Sequence, residues 1–201
     1  MDHFEIFGLP RRLSIDAGEL QRRFYELSRR HHPDFHQGAS AEEQARALEA
    51  SARVNAAYRA LRGPIARIEY LVRLEEGRET KEGATLRPQA PPELLAEMFE
   101  IQEALQEAKA GGLDEDGRAR LAEERERLLA RHGDEEARLR GPLTEAWDAG
   151  DASARARVLA DFKTALATRA YLRTSIDDLT EAVGDRPEAR GEGEHVAHHR
   201  D

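Results

Sequence analysis

His32-Pro33-Asp34 is the tripeptide of this 201-residue sequence whose residue types and spacing could do chemistry. An imidazole and a carboxylate stand two positions apart. The proline between them fixes its own φ and disfavours helical backbone in the residue before it. Three uses compete. With His31 and His36 nearby the segment could hold a metal, since histidines one helical turn apart ligate well, but Pro33 interrupts the helical register that this needs. It could be a plain turn, with Pro-Asp as turn chemistry and His32 at the negative end of a helix dipole. Or it could dock, because a loop pre-ordered by proline can offer the Asp34 carboxylate to a partner arginine as a charge-assisted bond. Arg22, Arg23, Arg29 and Arg30 lie just upstream and form a local positive patch, able to steer toward an acidic surface or simply to be a solvated helix face.

A second candidate lies near residue 100. Leu94, Met98, Ile101 and Leu105 recur at helical spacing and fill one core stripe. Leu95 and Phe99 fall one residue over, rimmed by Glu100, Glu103 and Glu107. An apolar pair ringed by carboxylates is either a protein-binding patch or a widening of the core stripe beside solvated glutamates. Periodicity alone leaves both open.

The elements that must position these residues are helices. Ala, Leu, Glu and Arg dominate, and no alternating β-branched run argues for a sheet. A short apolar cluster, Phe4, Ile6, Phe7 and Leu9, precedes a helix opening near Asp16, where Asp16 and Glu19 have the capping-box form. Leu20, Phe24 and Leu27 give that helix its apolar face, and Pro33 stops it around His32. After a loop to Ser40, a longer helix is predicted from about Ala41 to Arg62. One of its stripes begins at Leu48 and Ala52; the other holds Val54, Tyr58 and Leu61. Gly63-Pro64 closes it and opens the next helix. Residues 75–92, rich in Gly and Pro, read as a linker. Three helical stretches follow within 93–183 and predict a small bundle. The second of them should bend or split at Gly133 and at Gly141-Pro142. The third carries Val158, Phe162, Leu166, Leu172, Ile176, Leu179 and Val183 on roughly one side. Residues 184–201 lose the apolar pattern and are expected to be a disordered tail; its His195, His198 and His199 could weakly hold a metal, but the composition favours a solvated tail.

Composition narrows the classes. Net charge is −9 and opposes a general nucleic-acid binder. Cysteine is absent, which removes disulfides, thiolate nucleophiles and thiolate metal sites. No apolar run approaches the ~20 residues of a membrane span, and the first residues have no signal-peptide pattern, so a cytoplasmic protein is expected. No cofactor and no metal are expected.

In its first 74 residues the chain resembles a J-domain. The resemblance is carried by Phe4-x-x-Phe7-Gly8-Leu9, the Arg-rich helix before His32-Pro33-Asp34, and Val54-Asn55-Ala56-Ala57-Tyr58-x-x-Leu61. Arg67-x-Glu69-Tyr70-Leu71 and the helical stretch after it, with neither a Gly/Phe-rich segment nor zinc repeats, are similar to the HscB family in its bacterial form, which lacks an N-terminal cysteine pair. The resemblance implies an all-α fold: a J-domain at 1–74, a linker at 75–92, a scaffold-binding three-helix bundle at 93–183 and the tail. It implies a co-chaperone, not an enzyme. His32, Pro33, Asp34, Arg22, Arg23, Arg29 and Arg30 would engage an HscA/DnaK-type heat-shock 70 ATPase. Leu95, Phe99, Glu100, Glu103, Glu107 and Tyr171 would bind an IscU-type iron–sulfur scaffold. Ala96 departs from the family pattern, where Met or Leu is expected. The alternatives are a J-protein with another client, and a helical metal-binding protein using His31, His32 and His36.

Overall fold

Side-chain caps set where most helices begin. Asp2 and Glu5 form a full capping box at the first helix, α1 (His3–Ile6). Asp16 caps α2 (Ala17–Arg30) through the Glu19 N–H, but Glu19 does not reciprocate as its spacing predicts. Its carboxylate turns instead to Arg23, one helical turn along, at 2.6 Å. Ser40 and Glu43 make a second capping box at α3 (Ala41–Arg62), and Pro64 occupies the first turn of α4 (Pro64–Glu75). The rest of the computed structural model comprises α5 (Pro92–Gly111), α6 (Glu115–Arg138), α7 (Thr144–Ala149) and α8 (Ala152–Val183). The structure describes residues 1–77 and 91–184; most of the predicted linker and all but the first residue of the predicted tail, with its histidines, lie outside them. The described residues are all-α, without a strand, and none of their helices is long and apolar enough to cross a membrane.

The helix interiors follow the expected pattern only in part. Gly133 does not split α6. At Gly141-Pro142 the α-helix is interrupted as the pair predicts: a π-helical turn at Leu139–Leu143 separates α6 from α7 and accommodates Pro142, which has no N–H to donate. The Thr144 hydroxyl donates to the Leu139 carbonyl there at 2.8 Å. On α3, Leu48 is 62% exposed and Ala52 is also exposed, so the first predicted stripe does not exist; Ala47, Val54, Ala57 and Leu61 are the buried positions.

The apolar side chains form two cores. The larger joins Phe4, Phe7, Leu13, Leu20, Val54, Leu61, Ile68 and Leu71 to Leu139, Leu143, Trp147, Val158, Phe162 and Leu166. Phe24 and Tyr58 stack at 4.0 Å between ring centroids beside it, tying α2 to α3. The smaller core holds Leu94, Ile101 and Leu105 of α5, Leu121 and Leu128 of α6, and Leu172, Ile176 and Leu179 of α8. The N-terminal unit therefore does not close its core with residues 1–74 alone. The first half of α8 completes that core and the second half builds the bundle.

Candidate functional site

The His32-Pro33-Asp34 loop sits at the far end of α2. The helix ends at its C-cap His31, whose N–H still donates to the Leu27 carbonyl at 3.0 Å. His32 is extended, at φ −66° and ψ 130°, as the residue before a proline must be. Pro33–His36 then form one 3-10 turn that His32 caps: its Nδ1 accepts the Asp34 N–H at 3.3 Å. That bond places the proton of the neutral ring on Nε2. The Phe35 N–H donates to the His32 carbonyl at 3.1 Å, and His36 Nε2 lies 3.1 Å from the Arg30 carbonyl, folding the turn back onto the end of α2. The result is a short, internally bonded loop with His32, Pro33 and Asp34 all exposed.

The histidines do not converge. Among the described residues no cluster of three or more His, Cys, Asp or Glu side chains could hold a metal ion. Burial, with Arg30 adding to it, pushes the His31 pKa below its ordinary value.

The arginines divide. Arg22, Arg29 and Arg30 are exposed. Arg23 is not a free surface cation: it donates to the carbonyls of Phe7 and Gly8 and pairs with Glu19. It fastens the α1–α2 loop. Two exposed rings go beyond the residues that the pattern singled out. Tyr25 lies on α2, and Phe35, 66% exposed, sits edge-on to His32 at 6.1 Å between centroids. Phe35 was legible only as an apolar residue in a loop, with no helical partner at core spacing.

The second candidate also divides. Phe99 is 73% exposed, and Glu100, Glu103, Glu107 and Ala96 are exposed beside it on α5. Leu95, next to it, is half-buried and packs against the bundle core, less exposed than Phe99. Tyr171 on α8 is half-buried against the same core. Glu97 is drawn away from the strip by Arg127 and Arg131 of α6, at 3.1 and 2.6 Å.

Arg67-x-Glu69-Tyr70-Leu71 has a structural role. Arg67 is only 5% exposed. Its Nε–H donates to the Leu61 carbonyl at 2.7 Å, and its Nη1–H donates to the Leu13 carbonyl. The Tyr70 hydroxyl accepts the His3 N–H at 2.8 Å and its ring stacks on His3 at 4.2 Å. The motif holds α1 and the α1–α2 loop on α4.

An α2–α3 pair with exposed His-Pro-Asp between its helices, followed by a helical bundle, defines a J-domain protein with a C-terminal bundle. Comparison with known proteins agrees. No family model matches the chain. The Co-chaperone protein HscB homologs of Vibrio vulnificus strains YJ016 and CMCP6 are each 39% identical over 112 residues, 55% of this chain and 63% of the relative. The match thus spans less than two thirds of those relatives' length. Chaperone HscB from Vibrio cholerae superposes with a TM-score of 0.53 at 28% identity, covering 89% of this chain and 99% of that one. Human co-chaperone protein HscB superposes at 0.59 with 24% identity, over 90% and 81% of the two chains, and speaks to the fold. The chain is similar to HscB co-chaperones over these spans.

Proposed function

We propose that this protein is a J-domain co-chaperone of iron–sulfur cluster assembly. It binds an IscU-type scaffold on α5, stimulates ATP hydrolysis by an HscA/DnaK-type heat-shock 70 chaperone through His32-Pro33-Asp34, and so promotes cluster transfer. The observation that carries the reading is the exposed loop capped by His32, with the Asp34 carboxylate near His32 and Arg22, Arg29 and Arg30 exposed on the preceding helix.

The chemistry is recognition. Asp34 offers a charge-assisted acceptor to a cation of the ATPase. The exposed arginines accelerate encounter with an acidic surface. Phe99 supplies an apolar anchor on α5, and Glu100, Glu103 and Glu107 select a basic rim on the scaffold. Hydrolysis belongs to the chaperone, so this chain is an adaptor and not an enzyme. Tethering the scaffold raises its effective concentration at the chaperone.

The test is calorimetric titration of the IscU-type scaffold into this protein, with a single-turnover ATPase assay of the chaperone. Binding together with stimulation supports the reading. Stimulation without scaffold binding leaves a J-protein with another client. Neither activity overturns the proposal.

A further inference from the structure

We propose that Leu13-Ser14 is a joint at which Asp148 locks the helix carrying His32-Pro33-Asp34 to the α5–α8 arm, so that a scaffold held on α5 meets the chaperone at a fixed distance and angle. The functional half of this inference rests on the co-chaperone reading above; the locking half does not.

Asp148 lies in α7, immediately before α8. Its two carboxylate oxygens each accept one backbone N–H, from Leu13 and from Ser14, both at 2.8 Å. The same segment is held from the other side, because the Leu13 carbonyl takes the Arg67 guanidinium. Both polar groups of the Leu13 backbone are thus spent, one on the arm and one on the N-terminal unit. Leu13 is 3% exposed, so water cannot readily replace a lost partner. Arg67 is buried, and Asp148 supplies a negative charge on the far side of the segment it grips.

Leu139, Trp147 and Phe162 bury area against the N-terminal unit, an attraction that is itself non-directional. Hydrogen bonds select one register. The lever arms make that selection consequential. From Ala17 the 14 residues of α2 rise about 21 Å to the loop, and the 32 residues of α8 span about 48 Å. A tilt of about 10° at the joint would carry the end of α8 through about 8 Å. Asp148 is therefore a positioning residue, not part of either docking surface.

The chain has no cysteine, which allows labels to be placed at will. Spin labels at Glu26→Cys on α2 and Glu123→Cys on α6, both exposed positions, report the distance between the units by dipolar spectroscopy. The parent should give one narrow distribution. Asp148→Ala should broaden it about twofold, and the milder Asp148→Asn, which keeps one acceptor, should fall between. Circular dichroism checks that each variant is folded, and Asp148→Asn carries the test if Asp148→Ala is not. In the ATPase assay, stimulation by the protein without scaffold should stay unchanged in Asp148→Asn. The extra stimulation that scaffold adds should fall at least about fivefold, while scaffold affinity by calorimetry holds. An equally narrow distribution in both variants overturns the lock. A broadened distribution with full scaffold enhancement overturns its functional role. Should the parent neither bind scaffold nor stimulate the chaperone, the co-chaperone reading fails, taking the functional role with it, and the distance measurement alone decides the lock.

Discussion

The imidazole Nδ1 of His32 accepts the backbone N–H of Asp34 at 3.3 Å, with the Asp34 carboxylate only 3.5 Å from the same nitrogen. The histidine is thus the cap of the one-turn helix that presents the aspartate. Removing either side chain should have the same functional result for different reasons. Asp34→Asn keeps the turn and loses the charge; His32→Gln loses the cap. Both are expected to abolish stimulation of the chaperone ATPase in a single-turnover assay, with helicity by circular dichroism unchanged. Full stimulation by either variant would remove the loop from the mechanism.

Leu95 and Phe99 should separate, although the sequence pairs them. Phe99 is exposed and Leu95 packs on the bundle core. Phe99→Ala should leave the unfolding midpoint nearly unchanged and cost about 2 kcal/mol in scaffold binding by calorimetry. Leu95→Ala should cost about 1–2 kcal/mol of stability in urea, less than a fully buried leucine, whatever it does to binding.

Stability should fall as pH drops through and below the ordinary histidine value of 6.5, with His132 as a main contributor. Its ring sits on α6 with a buried Nε2 that has no hydrogen-bond partner. Burial, then Arg169, Arg173 and Arg140, hold its pKa below the ordinary 6.5, against Glu136. The unfolded chain therefore binds the proton more readily. The histidine's contribution is complete above the ordinary value and is lost as pH falls through the lowered one. His3 and His31 shift the same way. Urea unfolding at several pH values should show His132→Gln less pH-sensitive than the parent; equal slopes would remove His132 from the account.

A fragment ending at residue 77 should be markedly less stable than the same region in the full chain. Leu139, Leu143, Trp147, Phe162 and Leu166 belong to its core. Stripping them exposes Ile68, Leu71 and Val72, so the fragment's midpoint should fall by more than about 10 °C by circular dichroism. The sequence has one tryptophan, Trp147, and it is buried in that core. Its emission in the full chain should therefore shift red when the N-terminal unit opens, and an unshifted spectrum would separate the two.

Sequence alone determined what depends on near neighbours. Helix ends followed from Asp16 and Gly63-Pro64, because caps and breakers act within one turn. The all-α class followed from periodicity, and the break at Pro33 from the restriction a proline ring puts on the residue before it. The exposed loop and the acidic side of α5 were legible for the same reason. The tertiary structure decided whatever depends on residues far apart in the chain. Leu48 and Leu95 looked equivalent to their neighbours until the packing of α3 and α5 placed one outside and the other against a core. Arg23 joined the basic patch by spacing, but the carbonyls of Phe7 and Gly8 claim it. The apolar stripe of α8 read as one face of one bundle, whereas it serves two cores in succession. Asp148 carried no local signal, since its partners are the amides of Leu13 and Ser14, 135 and 134 residues away. Hydrophobic period says that a face will be buried, and only the assembled fold says against what.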